Sequence, residues 1–86
     1  MPHLLAKLKN DPIAVIKEIL EKDKVFHAEN NIFLEHLWQN ADDENEVLFI
    51  FRINDIDETK ALIHQLHSEA LTQDPNANLP LMTYLK

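Results

Sequence analysis

The chain has 86 residues, with 15 acidic and 8 basic side chains and a net charge of −7 at neutral pH. This length corresponds to a single domain, residues 1–86, whose core a sheet and two helices would fill. The acidic balance argues against nucleic acid as a partner, and the absence of cysteine excludes disulfides, thiolate metal sites and a cysteine nucleophile.

Glycine is absent as well. No glycine-rich phosphate-binding loop can therefore form, and asparagine and aspartate must make the turns, which are predicted at residues 30–31, 42–45 and 74–78. The longest apolar run, residues 47–51, is too short to cross a bilayer, and the N-terminus has no apolar stretch of signal-peptide length. We expect a cytoplasmic protein with no membrane partner.

The first element, His3–Lys9, fits two structures. Its apolar residues alternate with polar ones as in a strand with one buried face, yet its leucines would equally suit one turn of helix. We prefer the strand, because residues 10–12 then end it and start a helix. Asp11 is the predicted N-cap of that helix, and Pro12 its first residue.

The first helix is predicted to continue to about residue 28 or 29. Its apolar stripe is opposed by lysines and glutamates and consists of Ile13, Ile16, Ile19 and Leu20. Asp23 and His27 lie four residues apart, on or beside this stripe. If both face inward, the carboxylate could orient the imidazole as a general base; if the helix ends near Lys24, the pair dissolves.

A β-hairpin follows, with strands at residues 32–39 and 47–53 and a turn between them. Strict alternation places the first strand's side chains in two rows: Ile32, Leu34, His36 and Trp38 on one face, and Phe33, Glu35, Leu37 and Gln39 on the other. The second strand is apolar on both faces up to Arg52, so both faces need cover. The helices can cover one face, and a second copy of the chain is predicted to cover the other.

The second helix is predicted from a capping box, in which Asp55 is the N-cap and Glu58 reaches back from the third helical position. The helix should end near residue 71. The final strand is predicted at residues 79–85. Pro80 stands near its start, which fits either an early position in the strand or a strand on the edge of the sheet.

The element order is thus β-α-β-β-α-β, which is the ferredoxin-like arrangement of an α+β protein. It predicts a four-stranded antiparallel sheet with two helices on one face and the other face packed in a homodimer. Residues 49–53 (FIFRI), followed by residues 61–67 (ALIHQLH), resemble the dimeric α+β barrel superfamily, which includes the antibiotic-biosynthesis monooxygenase-like proteins. The resemblance implies a back-to-back sheet dimer with a small cavity in each subunit between the sheet and the helices.

Five residues are candidates for a site. His36 and Trp38 alternate on one strand and could line a pocket for a planar apolar molecule, while Arg52 could bind a carboxylate or pair with Glu35 across the hairpin. His64 and His67 are neighbours on the second helix, where partly exposed surface histidines are commoner than metal ligands, so no metal site is predicted. We assign catalytic roles to His36 and His64, and ligand binding to Trp38, Arg52 and His67.

The superfamily also includes haem-degrading enzymes with an Asn–Trp–His set. Trp38 stands on the first hairpin strand rather than after the second, so no haem and no other cofactor is predicted. The predicted function is a homodimer that binds a small apolar or aromatic molecule, with cofactor-free monooxygenase or isomerase chemistry. The alternative is a non-catalytic interaction or regulatory module, with the acidic residues 42–46 and 55–58 contacting a basic partner.

Overall fold

The computed structural model describes all 86 residues, in the order β-α-α-β-β-α-β. Its strands form one antiparallel sheet in the order β2-β3-β1-β4, which is consistent with a ferredoxin-like arrangement. The α+β class, the four-stranded sheet and the strand at His3–Lys9 are confirmed. The elements are β1 (His3–Lys9), α1 (Ile13–Lys22), α2 (Lys24–Glu29), β2 (Ile32–Asn40), β3 (Asp43–Ile53), α3 (Ile56–Gln73) and β4 (Leu81–Leu85).

The core lies between the sheet and the helices. Strand β3 is paired with both β1 and β2, and the residues of its inward row are buried: Val47, Phe49, Phe51 and Ile53. Ile16 and Leu20 of α1 pack into the same apolar cluster, together with the inward residues of β1. Because α3 adds Leu62 and Ile63 to this cluster, the helices cover the same face of the sheet.

The single first helix predicted from the sequence is wrong, because two helices meet at Asp23. The backbone of Asp23 leaves the helical region, with φ −92° and ψ 4°. Aspartate is a poor former of helix interiors, so the chain can bend there at low cost. The bend turns α2 toward the sheet, where the ring of His27 meets that of Phe51 edge-on at 5.4 Å between centroids.

The predicted helix caps are right at one helix and wrong at the other. The side chain of Asp55 accepts a hydrogen bond from the backbone N–H of Glu58 at 3.0 Å, as predicted, but Glu58 does not return it. Asp11 is not the cap of α1: Pro12 holds that position, and the Asp11 carboxylate accepts from Asn78 instead. This contact ties the segment before β4 to the start of α1.

Asparagine and aspartate do make the turns, in place of glycine. Asn10 and Asn31 have positive φ angles of 70° and 59°, in the left-handed region that glycine otherwise fills. The hairpin turn is shorter than predicted, since β3 begins at Asp43 rather than at Val47. The Asn40 side chain accepts from the backbone N–H of Asp42 at 2.9 Å, which closes this tight turn locally.

A β-bulge at Glu35 overturns the predicted faces of β2. Leu34 pairs with Phe51, but His36 pairs with Ile50, so Glu35 is an extra residue without a partner across the hairpin. Each bulge residue reverses the alternation of the side chains that follow. Ile32, Leu34 and Leu37 consequently share the face with the helices, whereas His36 and Trp38 lie on the opposite face.

The opposite face of the sheet is not covered by any part of the chain. We call it the open face. From the sheet register, it carries Leu48 and Ile50 of β3 beside Leu5 of β1, all half-buried, while Trp38 is 49% exposed. Its centre is apolar, and Phe33, Leu81 and Leu85 add apolar surface further out. Polar side chains share the outer parts of this face: His3, Lys7, Glu35 and Arg52. The structure thus confirms that the central strand, β3, is apolar on both sides. The rest of the chain covers only one of these sides.

The inward row of β3 should dominate stability. Val47 is 0% exposed and Val25 is 70% exposed, so Val47→Ala and Val25→Ala make the same chemical change at opposite burial. We expect Val47→Ala to lower the free energy of unfolding by about 2 kcal/mol, from lost burial and the cavity left behind. Val25→Ala should change it by less than about 0.5 kcal/mol. Urea denaturation at fixed protein concentration measures both, and equal losses would contradict this account of the core.

Candidate functional site

Three of the five predicted site residues lie together on the open face. The rings of His36 and Trp38 are stacked, with 5.0 Å between centroids and 19° between planes. The Arg52 guanidinium lies over the ring of Phe33, 5.0 Å from its centroid. Arg52 does not pair with Glu35, as one reading of the sequence suggested. The bulge directs Glu35 past β3 to His3, whose Nε2 lies 2.8 Å from the carboxylate.

The other two predicted residues, His64 and His67, lie on α3, on the far side of the sheet from His36 and Trp38. His64 is exposed and His67 half-buried. Burial lowers the pKa of His67, and the neighbouring His64 lowers it further. The five residues therefore do not line one cavity. No group of three or more His, Cys, Asp or Glu side chains is placed to hold a metal ion.

A partly enclosed, mostly apolar space lies instead between β2 and the first two helices. It is a groove of about 380 Å³, comparable in size to known small-molecule sites. Its lining comes from α1, α2 and β2 and is mostly apolar: Lys17, Leu20, Glu21, Lys24, His27, Ala28, Ile32, Phe33, Leu34 and Leu37. None of the five predicted site residues contributes to it.

Two local irregularities shape this groove. The break at Asp23 separates α1 from α2, so that Leu20 and His27 approach the space from different helices. The bulge at Glu35 keeps both Leu34 and Leu37 on the helix side of β2, although their odd spacing would place them on opposite faces of a regular strand. Leu34 remains 44% exposed, so the groove has apolar surface open to a ligand.

His27 is the titratable group of the groove whose pKa is shifted. Its ring is half-buried against Phe51, and this burial lowers the pKa of His27, while the carboxylate of Asp23 partly opposes the effect. The two side chains form no hydrogen bond; the backbone N–H of His27 donates to the Asp23 carbonyl at 2.9 Å. A neutral imidazole can donate from one ring nitrogen and accept at the other, so His27 can bind a polar group or take up a proton.

Sequence reasoning missed most of this site. Four lining residues follow one another at spacings of four, three and four, which would mark one ridge on an unbroken helix: Lys17, Glu21, Lys24 and Ala28. The sequence contains this pattern, but the same pattern is typical of any solvent-exposed helix face. The signal for Leu34 and Leu37 was absent, because nothing in the sequence places a bulge at Glu35.

No family model matches this chain, and no curated protein matches it with significant similarity. None of the helices combines the length and the apolar character needed to cross a membrane.

The environment of His27 predicts how stability depends on pH. The pKa of His27 is lower in the folded protein than its unfolded value of 6.5. Once the pH falls to about this value, the unfolded chain therefore binds more protons than the folded protein does. We expect the free energy of unfolding to decrease as pH falls from 7.5 to 5. His27→Gln, which keeps a polar side chain, should make that decrease shallower. Urea denaturation across this range measures the slope, and an NMR titration measures the pKa of His27; a pKa above 6.5 would refute the prediction.

Proposed function

We propose that this protein is a homodimer that binds a small apolar or aromatic molecule in the groove of each subunit. The observation that carries the proposal is the groove itself: its floor of Leu20, Ile32 and Leu37 is apolar, and it holds one half-buried imidazole. Small-molecule sites commonly combine a mostly apolar lining with few polar groups. Its position between sheet and helices agrees with the cavity that the dimeric α+β barrel resemblance implies.

The open face supports the homodimer part of the proposal. Only 11 of the 86 residues are buried, so the core of one chain is small, and a second hydrophobic interface would add stability. Sheets commonly pack face to face, and a twofold axis would bring the same apolar rows together. His36 and Trp38 would then lie in the interface.

The proposal also includes chemistry of the cofactor-free oxygenase or isomerase kind. Such reactions need a general base within hydrogen-bond reach of the substrate, and a neutral imidazole serves this purpose near pH 7. His27 is the histidine that lines the groove. In the proposal, His27 therefore takes the part that the sequence assigned to His36 and His64.

An interaction module that docks through its acidic hairpin has less support. Lys9 Nζ lies 3.7 Å from the carboxylate of Asp43 and 3.9 Å from that of Glu46, so part of the negative charge is already paired. The Asn40 amide donates to Glu46 as well, at 2.9 Å. These contacts explain Asp43 and Glu46 as local support for a tight turn.

Ligand binding is tested with N-phenyl-1-naphthylamine, a neutral two-ring fluorophore that brightens in apolar sites. We expect it to bind the wild-type protein. Ala28→Phe places a large ring in the groove at an exposed position. It should reduce the affinity of the protein for the fluorophore at least about tenfold, which corresponds to roughly 1.4 kcal/mol of binding free energy. Ala61→Phe, the same change at an exposed position of α3, should leave it unchanged. Absence of binding to the wild type, or equal loss in both variants, would refute the groove as a ligand site.

The dimer is tested by native mass spectrometry and light scattering over a range of concentrations. Ile50 lies at the centre of the open face, and Ile19 is exposed on α1. We expect a wild-type dimer, which Ile50→Lys converts to folded monomer because a lysine amine would be buried without a partner. Ile19→Lys should remain dimeric. A monomeric wild type, or a dimer unaffected by Ile50→Lys, would refute this interface.

A further inference from the structure

The polar rim of the groove suggests what kind of molecule enters it. Lys17 of α1 and Lys24 of α2 both line the groove, one from each side of the break at Asp23. Glu21 lies between them and is the one carboxylate of the lining. In a protein with a net charge of −7, the groove thus combines an apolar floor with a locally basic rim.

The charges of these two lysines are not used within the protein. The ion pairs of the chain are His3 with Glu35 and Lys9 with both Asp43 and Glu46; neither Lys17 nor Lys24 is within 4.0 Å of a carboxylate oxygen. Glu21 is four residues from Lys17 on α1, a spacing that allows a pair, yet that pair does not form. Both ammonium groups are consequently available to an anion at the groove.

We infer that the ligand of the groove is an amphipathic monoanion: an apolar or aromatic body on Leu20, Ile32 and Leu37, with one carboxylate or similar anionic group held by Lys17 and Lys24. This inference rests on the proposed function, since it names the class of molecule that the same groove binds. A neutral apolar molecule would leave the charges of both lysines without a partner. The second negative charge of a dianion would be repelled by the carboxylate of Glu21.

Binding of an anion in the groove should also change the protonation of His27. It lines the groove together with Lys17, Lys24 and Glu21; burial lowers its pKa, and the nearby carboxylate of Asp23 acts to raise it. An anion bound beside it favours the charged imidazolium, so binding of an anion raises the pKa of His27 and draws in protons. A neutral ligand of the same shape has no such effect, and proton uptake therefore separates the two classes of ligand.

Two fluorophores with the same ring system make the comparison. N-phenyl-1-naphthylamine is neutral, and 8-anilinonaphthalene-1-sulfonate carries one anionic group on the same rings. We expect the sulfonate to bind the wild-type protein more tightly at low salt, with its advantage shrinking as the ionic strength rises. Lys17→Met and Lys24→Met should each reduce that advantage about two- to fivefold, as for solvent-exposed ion pairs, and the double variant about tenfold.

The controls match the change in charge. Lys22→Met, alone and combined with Lys86→Met, removes the same charge at positions outside the groove and should keep the advantage of the sulfonate. Ala28→Phe should weaken both fluorophores, which distinguishes the groove from the open face as their site. Calorimetry in buffers of different ionisation enthalpy should detect proton uptake for the sulfonate near pH 6 in the wild type, and less in His27→Gln.

The outcomes separate the two proposals. If the neutral fluorophore binds in the groove but the sulfonate gains nothing, or gains equally in Lys17→Met/Lys24→Met, the anionic ligand is refuted while the groove stands. If neither fluorophore binds, or Ala28→Phe affects neither, the proposed function fails and this inference fails with it. A sulfonate advantage that is lost equally in the Lys22→Met/Lys86→Met control would also refute the role of the two lysines.

Discussion

The burial of the inward row of β3 is the constraint on which the rest of the structure depends. Val47 and Ile53 at its ends are fully buried, with Phe49 and Phe51 between them. Apolar area of this size has to be removed from water, so β1 and β2 must flank the strand and the helices must cover it. Because the outward residues Leu48 and Ile50 are also apolar, covering one side leaves the same requirement on the other.

Two departures from regular geometry adapt the chain to this constraint. The break at Asp23 lets α2 approach the sheet, and the bulge at Glu35 brings Leu34 and Leu37 to the same side of β2. Both affect the space between α1, α2 and β2, which remains an open groove rather than a filled core. A bulge re-aims the side chains beyond it, and here it also moves His36 and Trp38 to the open face.

The sheet consequently divides the molecule into two surfaces with different chemistry. On one side, a groove with an apolar floor carries a half-buried histidine and two unpaired lysines. On the other side, the stacked pair of His36 and Trp38 borders the apolar centre formed by Leu48, Ile50 and Leu5. A concave, partly polar space suits a small ligand, whereas a broad sheet face with an apolar centre and a polar surround suits another protein surface. The proposed function follows this division.

The sequence by itself determined the α+β class, the order of the strands along the chain and the cap at Asp55, because alternation, turn residues and capping are local properties. It also determined that β3 needs cover on both faces. Tertiary structure alone decided the break at Asp23, the bulge at Glu35 and hence which side chains meet. A bulge costs little locally and is selected by packing across strands, so periodicity cannot locate it. For that reason His36 and Trp38 were predicted on the same face as Ile32, while Lys17, Lys24 and His27 came together only in the folded chain.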